Sequence, residues 1–184
     1  DRLPVAAQKT VALELIRLEY CEDKLAGILF LQERLLPEKA IIWTEDLPQF
    51  GALFEDNYIY DWNTCDWFCV RVLGPLAAQQ GPACAQATVD WRDATSLWQR
   101  RAAAVAFVNL AKHGDANFPG FMEMVLSACA PLVASTERFA QTGAGWVLRE
   151  LSLADQERVV AFVEERISHF TREGLAYASE KMPA

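Results

Sequence analysis

Apolar residues recur along this chain at the spacing of an α-helix almost from end to end, and nowhere alternate over a bounded run as a strand requires. Residues 5–19 carry Val5, Leu13, Leu15, Ile16 and Leu18 along one broad stripe, and residues 22–36 repeat the pattern with Leu25, Ile28, Leu29 and Leu35 before Pro37 stops it. The one tempting apolar pair, Ile41-Ile42, is too short for a strand. Further helices are predicted at about 46–54, 62–79, 83–93, 96–112, 118–133, 137–151, 155–169 and 171–181. Pro75, following Gly74, is expected to kink or split the fourth. Ser96 and Thr171 read as N-caps, and Gly81 and Gly114 sit where helices end. The fold class is therefore all-α.

These helices recur in pairs. Lys24-Leu-Ala-Gly-Ile-Leu, Asp66-Trp-Phe-Cys-Val-Arg-Val-Leu, Arg101-Ala-Ala-Ala-Val-Ala and Thr142-Gly-Ala-Gly-Trp-Val-Leu follow one another at intervals of very roughly 35–45 residues, the range of HEAT-type helix pairs. Small residues in each let helices approach closely, and the apolar run behind them fills the interface. The expectation is one helical-repeat domain over residues 1–184, a stacked α-solenoid of HEAT-like repeats with a concave face.

With 52% apolar residues the chain can bury a core, and no stretch approaches the roughly 18 consecutive apolar residues of a membrane span. Asp1-Arg-Leu-Pro-Val lacks the basic flank and apolar core of a secretory signal. Five cysteines form no CxxC pair, and with only His113 and His169 beside them no zinc site is expected. A reduced, intracellular, monomeric protein without metal or cofactor is the simple reading. The net charge of −8 opposes a nucleic-acid partner unless the acidic residues lie away from the binding face.

Three constellations could carry chemistry. Trp62-Asn-Thr-Cys-Asp66 places an indole and a carboxylate one helical turn apart, a device for stabilising positive charge on a sugar; a core Trp and a capping Asp fit the same residues. Trp98-Gln-Arg100-Arg101 opens a helix with adjacent arginines, which suit a phosphate clamp or a solvated first turn. In Gly145-Trp-Val-Leu-Arg-Glu150, Trp146 and Arg149 share a face; a buried Trp beside an Arg–Glu ion pair is the plainer account. Cys65 and Cys69 lie a turn apart, but no histidine is near in sequence to serve as base. The Gly143-Ala-Gly145 run reads as close helix packing rather than a phosphate loop.

In order and spacing, Trp-Asn-x-x-Asp at 62–66, Trp-x-x-Arg-Arg-Ala at 98–102 and Gly-Trp-Val-Leu-Arg-Glu at 145–150 resemble the AlkD-like DNA glycosylases. Arg172-Glu-Gly-Leu175 looks like that family's closing helix, and the resemblance runs from about residue 11 to 181. It implies a curved stack of HEAT-like pairs holding duplex DNA on its concave face, and hydrolytic removal of N3- and N7-alkylated purines without base flipping. By motif position, Asp66 would be the catalytic carboxylate, and Trp62 and Trp146 would pack against the deoxyribose and backbone at the lesion. Arg101 would hold phosphate, with Arg149 as helper, and Arg100 and Arg172 are expected to line the same groove. An alkylated purine already carries positive charge, so one carboxylate suffices and a second acid is unnecessary.

Two other functions compete. A non-catalytic repeat module binding damaged or branched DNA, or a protein, suits the acidity better and the Trp–Asp–Arg–Trp set worse. A small-molecule hydrolase lacks a nucleophile–base pair.

Overall fold

The computed structural model describes residues 3–182 and, among them, only helices, turns and loops. The α-helices are α1 Val5–Arg17, α2 Cys21–Phe30, α3 Trp43–Glu55, α4 Trp62–Phe68, α5 Gly74–Gln80, α6 Pro82–Val89, α7 Leu97–Val105, α8 Val108–Ala111, α9 Phe121–Ala134, α10 Arg138–Leu151, α11 Gln156–Glu165 and α12 Arg172–Ser179. Two of the expected caps form as anticipated: the Ser96 hydroxyl accepts from the Gln99 N–H and that of Thr171 from the Gly174 N–H. Gly81 and Gly114 stand at positive φ beyond the ends of α5 and α8.

Proline acts through the turn before it. Leu31–Leu35 and Cys69–Leu73 are both π-helical, and each stops just short of a proline, Pro37 and Pro75. A proline ring in a regular helix strikes the carbonyl four residues back. Widening the turn moves that carbonyl aside, and Leu36 and Gly74 donate instead to the oxygens of Leu31 and Cys69, five residues back. Beyond Pro37 the chain leaves the helix, with Lys39 at positive φ, whereas beyond Pro75 it continues into α5. The expected split of 62–79 is therefore a π turn within a continuous helical run. The expected 96–112 helix does break, at Ala106–Phe107, into α7 and α8.

The four recurring segments fall on α2, α4, α7 and α10, and these pack as successive neighbours, with α12 next to α10. Behind that row α1 lies on α2, α3 and α6 lie on α7, and α9 lies on α6, α7 and α10. One contiguous core of buried residues runs through both rows, from Ala12 to Ala178. Phe68 at its centre meets Phe50 and Phe54 edge-on, with ring centroids 5.3 and 6.0 Å away. Lys24 is buried, and its ammonium donates to the carbonyls of Ile16 (2.9 Å) and Tyr58 (2.8 Å), tying α1 and α2 to the loop that enters α4. The row also fits closely at α10, where a Cβ on Gly145 would lie 2.6 Å from the Gly174 carbonyl oxygen of α12.

Candidate active site

Residues from α4, α7, α10 and α12 line one cavity of about 420 Å³. Trp62 and Asp66 come from α4, Arg101 from α7, Trp146 and Arg149 from α10. Five of the residues singled out in the sequence thus meet in space.

The Asp61 side chain starts α4 by accepting from the Thr64 N–H (2.9 Å) and hydroxyl (2.6 Å). Trp62 then opens the helix half-exposed, and Asp66 follows one turn later on the same face, its side chain only 14% exposed. Both Asp66 oxygens are taken by the guanidinium of Arg101: Nε donates to Oδ1 and Nη2 to Oδ2, each at 2.8 Å. The Arg101 side chain is 6% exposed, and its Nη1 donates to the Phe139 carbonyl at 2.6 Å. Burial works against the Arg101 charge, but hydrogen bonding and attraction to Asp66 more than offset it and hold the guanidinium above its ordinary value. A bidentate, buried Arg–carboxylate pair fixes the carboxylate plane as well as its place. The room for it comes from Gly143, where a Cβ would stand 2.7 Å from Arg101 Nη1.

The expected phosphate clamp at Arg101 is therefore turned inward. It is the next helix's brace for Asp66. Arg100, one residue earlier and so about 100° around the helix, points away from the cavity: it donates to the carbonyls of Ala94 and Thr95 and pairs with Glu137. Arg172 is exposed at the first position of α12 and is not among the cavity's lining residues; the face of α12 that meets the cavity passes through Tyr177. The expected groove of Arg100, Arg101, Arg149 and Arg172 is thus reduced to Arg101 and Arg149. Arg149 pairs with Glu150 (3.0 Å) and Glu180 (2.5 Å), as its plainer reading anticipated. Trp98 packs against Phe139, ring centroids 5.2 Å apart, and its carbonyl accepts from the Cys65 thiol.

Sequence reasoning missed Arg138, Thr142 and Tyr177, which also line the cavity. The signal for two of them was present: Arg138, Thr142, Trp146 and Arg149 stand at i, i+4, i+8 and i+11, one stripe of α10. Tyr177 enters only because α12 docks beside that stripe, and nothing local in sequence announces it.

Among the described residues no group of three or more His, Cys, Asp or Glu side chains could hold a metal ion. None of the described helices is long and apolar enough to cross a membrane. A comparison with curated proteins finds no match. A family model described as DNA alkylation repair enzyme matches residues 2–182, and across that length the chain belongs to the DNA alkylation repair enzyme family.

Proposed function

We propose that this protein is a DNA glycosylase that hydrolyses the N-glycosidic bond of cationic N3- and N7-alkylpurines in duplex DNA, with Asp66 as the catalytic carboxylate. One observation carries the reading. Asp66 is recessed in a cavity that Trp62 and Trp146 also line, and a buried guanidinium sets its orientation. Arg101 uses one acceptor direction on each Asp66 oxygen, and a carboxylate offers about four in all. The remaining lone pairs can face a sugar and receive a proton from an attacking water.

The chemistry suits so few groups. The alkylated base leaves with the bonding electron pair and becomes neutral as it goes, so no acid need protonate it. Positive charge then grows on the sugar, where the carboxylate opposes it and the indole faces add cation–π attraction. Water adds to the sugar carbon and loses its proton. Neutral lesions such as uracil lack this built-in activation and are expected to be poor substrates. Trp62, at 55% exposure, stands at the cavity's edge, which suits a sugar and backbone pressed against the surface without a flipped base. The row α2–α4–α7–α10–α12 supports a HEAT-like stack, with the cavity on the duplex-facing side of a single domain acting as a monomer.

The deciding experiment is release of free base from matched duplexes carrying N7-methylguanine, N3-methyladenine or uracil, with Asp66→Asn as control. Wild type is expected to release the cationic bases only, and Asp66→Asn to lose most release while binding duplex as before. Release of uracil alone, or full activity in Asp66→Asn, defeats the mechanism. Duplex binding without any base release favours a non-catalytic module, a reading that the charge of −8 recommends.

A further inference from the structure

Two of the cavity's arginines are held by carboxylates from α12 and its C-cap. Arg138 forms a bidentate pair with Glu173 (2.8 and 2.6 Å), and Arg149 pairs with Glu180 (2.5 Å). Glu173, Tyr177 and Glu180 stand at i, i+4 and i+7, so the stripe of α12 facing the cavity continues through Glu180 just past its end.

We propose that Arg138 and Arg149 are exchangeable phosphate clamps, occupied in the free protein by Glu173 and Glu180 and handed to backbone phosphates when duplex DNA enters. This rests on the cavity being the duplex-facing site, and adds to it a binding residue, Arg138, and a built-in competitor, α12. Exposure of the carboxylates, Glu173 at 40% and Glu180 at 57%, separates these pairs from the Arg101–Asp66 brace, although the Arg149 side chain itself is only 19% exposed. The Arg138 and Glu173 side chains are 62% and 40% exposed, and exposed ion pairs are held weakly and trade partners readily. Arg101, at 6%, has no such freedom. Arg138 stays aimed during the exchange because its guanidinium also lies over the Phe139 ring, 5.2 Å from its centroid. Arg149 keeps Glu150, which Lys181 also holds at 2.8 Å, so only Glu180 need leave. The exchange accounts for an acidic protein with a duplex-facing site: part of its negative charge screens the cations until phosphate displaces it.

The test is duplex binding by fluorescence anisotropy across a salt series, for wild type, Glu173→Gln/Glu180→Gln and Arg138→Ala, each checked for folding by thermal melting. The double glutamine variant is expected to bind roughly five- to tenfold more tightly. Its dependence of log K on log salt is expected to steepen by about one to two ions, because each phosphate contact releases about 0.9 ion and no carboxylate takes one back. Arg138→Ala is expected to weaken binding by a comparable factor, and it stands as the test on its own if the glutamine variant fails to fold. Wild-type duplex binding with unchanged affinity and slope in the variants overturns the exchange and leaves the proposed function standing. Absence of duplex binding in every form overturns both.

Discussion

Replacing Gly143 by alanine tests whether the Arg101 brace is as rigid as its geometry implies. In the interior of a helix this substitution ordinarily stabilises by about 0.5–1 kcal/mol, because alanine loses less backbone freedom on folding. Here the added Cβ would stand 2.7 Å from Arg101 Nη1, 3.2 Å from Cγ and 3.3 Å from Cζ. A free arginine would swing away at little cost. This one is pinned by two bonds to Asp66 and one to the Phe139 carbonyl, and the clash falls on the nitrogen that makes the last of these. Losing one charge-assisted bond costs about 1.5–3 kcal/mol, which exceeds the gain in helix propensity. The net expectation is destabilisation by about 1–2 kcal/mol, or a melting point lower by roughly 2–8 °C for a chain of this size. Displacing Arg101 also turns the Asp66 carboxylate, so base release is expected to fall by more than duplex binding does. Melting by circular dichroism and single-turnover base release measure the two halves. A Gly143→Ala protein that melts higher than wild type and excises at the same rate refutes the brace.

Two further expectations concern titration and thiols. Burial pushes the Glu150 carboxyl up, but Lys181 and Arg149 more than offset it and hold it below the ordinary 4.5, and Arg138 does the same for Glu173. A carboxyl more acidic in the folded state stabilises fully above its unfolded value and loses that contribution as pH falls through the folded one. The α10–α12 contact is therefore expected to loosen below about pH 4.5, read as lower protection factors in α12, corrected for the pH dependence of intrinsic amide exchange, between about pH 5 and 3; protection that rises on acidification contradicts the sign. Burial raises the Cys84 thiol to about 11, Cys129 to about 12 and Cys69 well above its ordinary value, while Cys21 is exposed. A thiol-alkylating reagent near neutral pH is expected to add once, at Cys21, by mass spectrometry, and rapid labelling of a second site means the core opens.

The helical class was legible because burial imposes its period locally. A stripe such as Leu13–Ile16 exists only to face one neighbour, and both residues are buried. The π turns were not legible, since they answer to a proline's need several residues downstream and leave the apolar pattern intact. In the site, Trp62 and Asp66 could be paired because one helical turn joins them. The partner of Asp66 could not be read that way, because Arg101 lies on another helix and a guanidinium at a helix start looks the same whether it faces phosphate or carboxylate. Adjacent arginines compound the difficulty: Arg100 and Arg101 differ by about 100° of rotation, and only the packing of α7 decides which one is swallowed. Gly143 was correctly taken for close packing, but what packs there is a charged side chain rather than an aliphatic one.

The alanines of α7 limit how this protein can diverge. Ala102, Ala103 and Ala104 occupy consecutive positions, so they point in different directions, and each is fully buried. Neighbours press on α7 from α3, α4, α6, α9 and α10, and a single methyl group at each alanine sets how near they come. Enlarging any one of the three would push a different neighbour outward, and overpacking of this kind costs about 1–3 kcal/mol. The gap between α4 and α10, and hence the span from Trp62 to Trp146, is thus gauged by residues that tolerate no variation in size. Changes in what the cavity accepts have an easier route through its rim, where Trp62 and Tyr177 are partly exposed and can be exchanged without disturbing the helices that carry them.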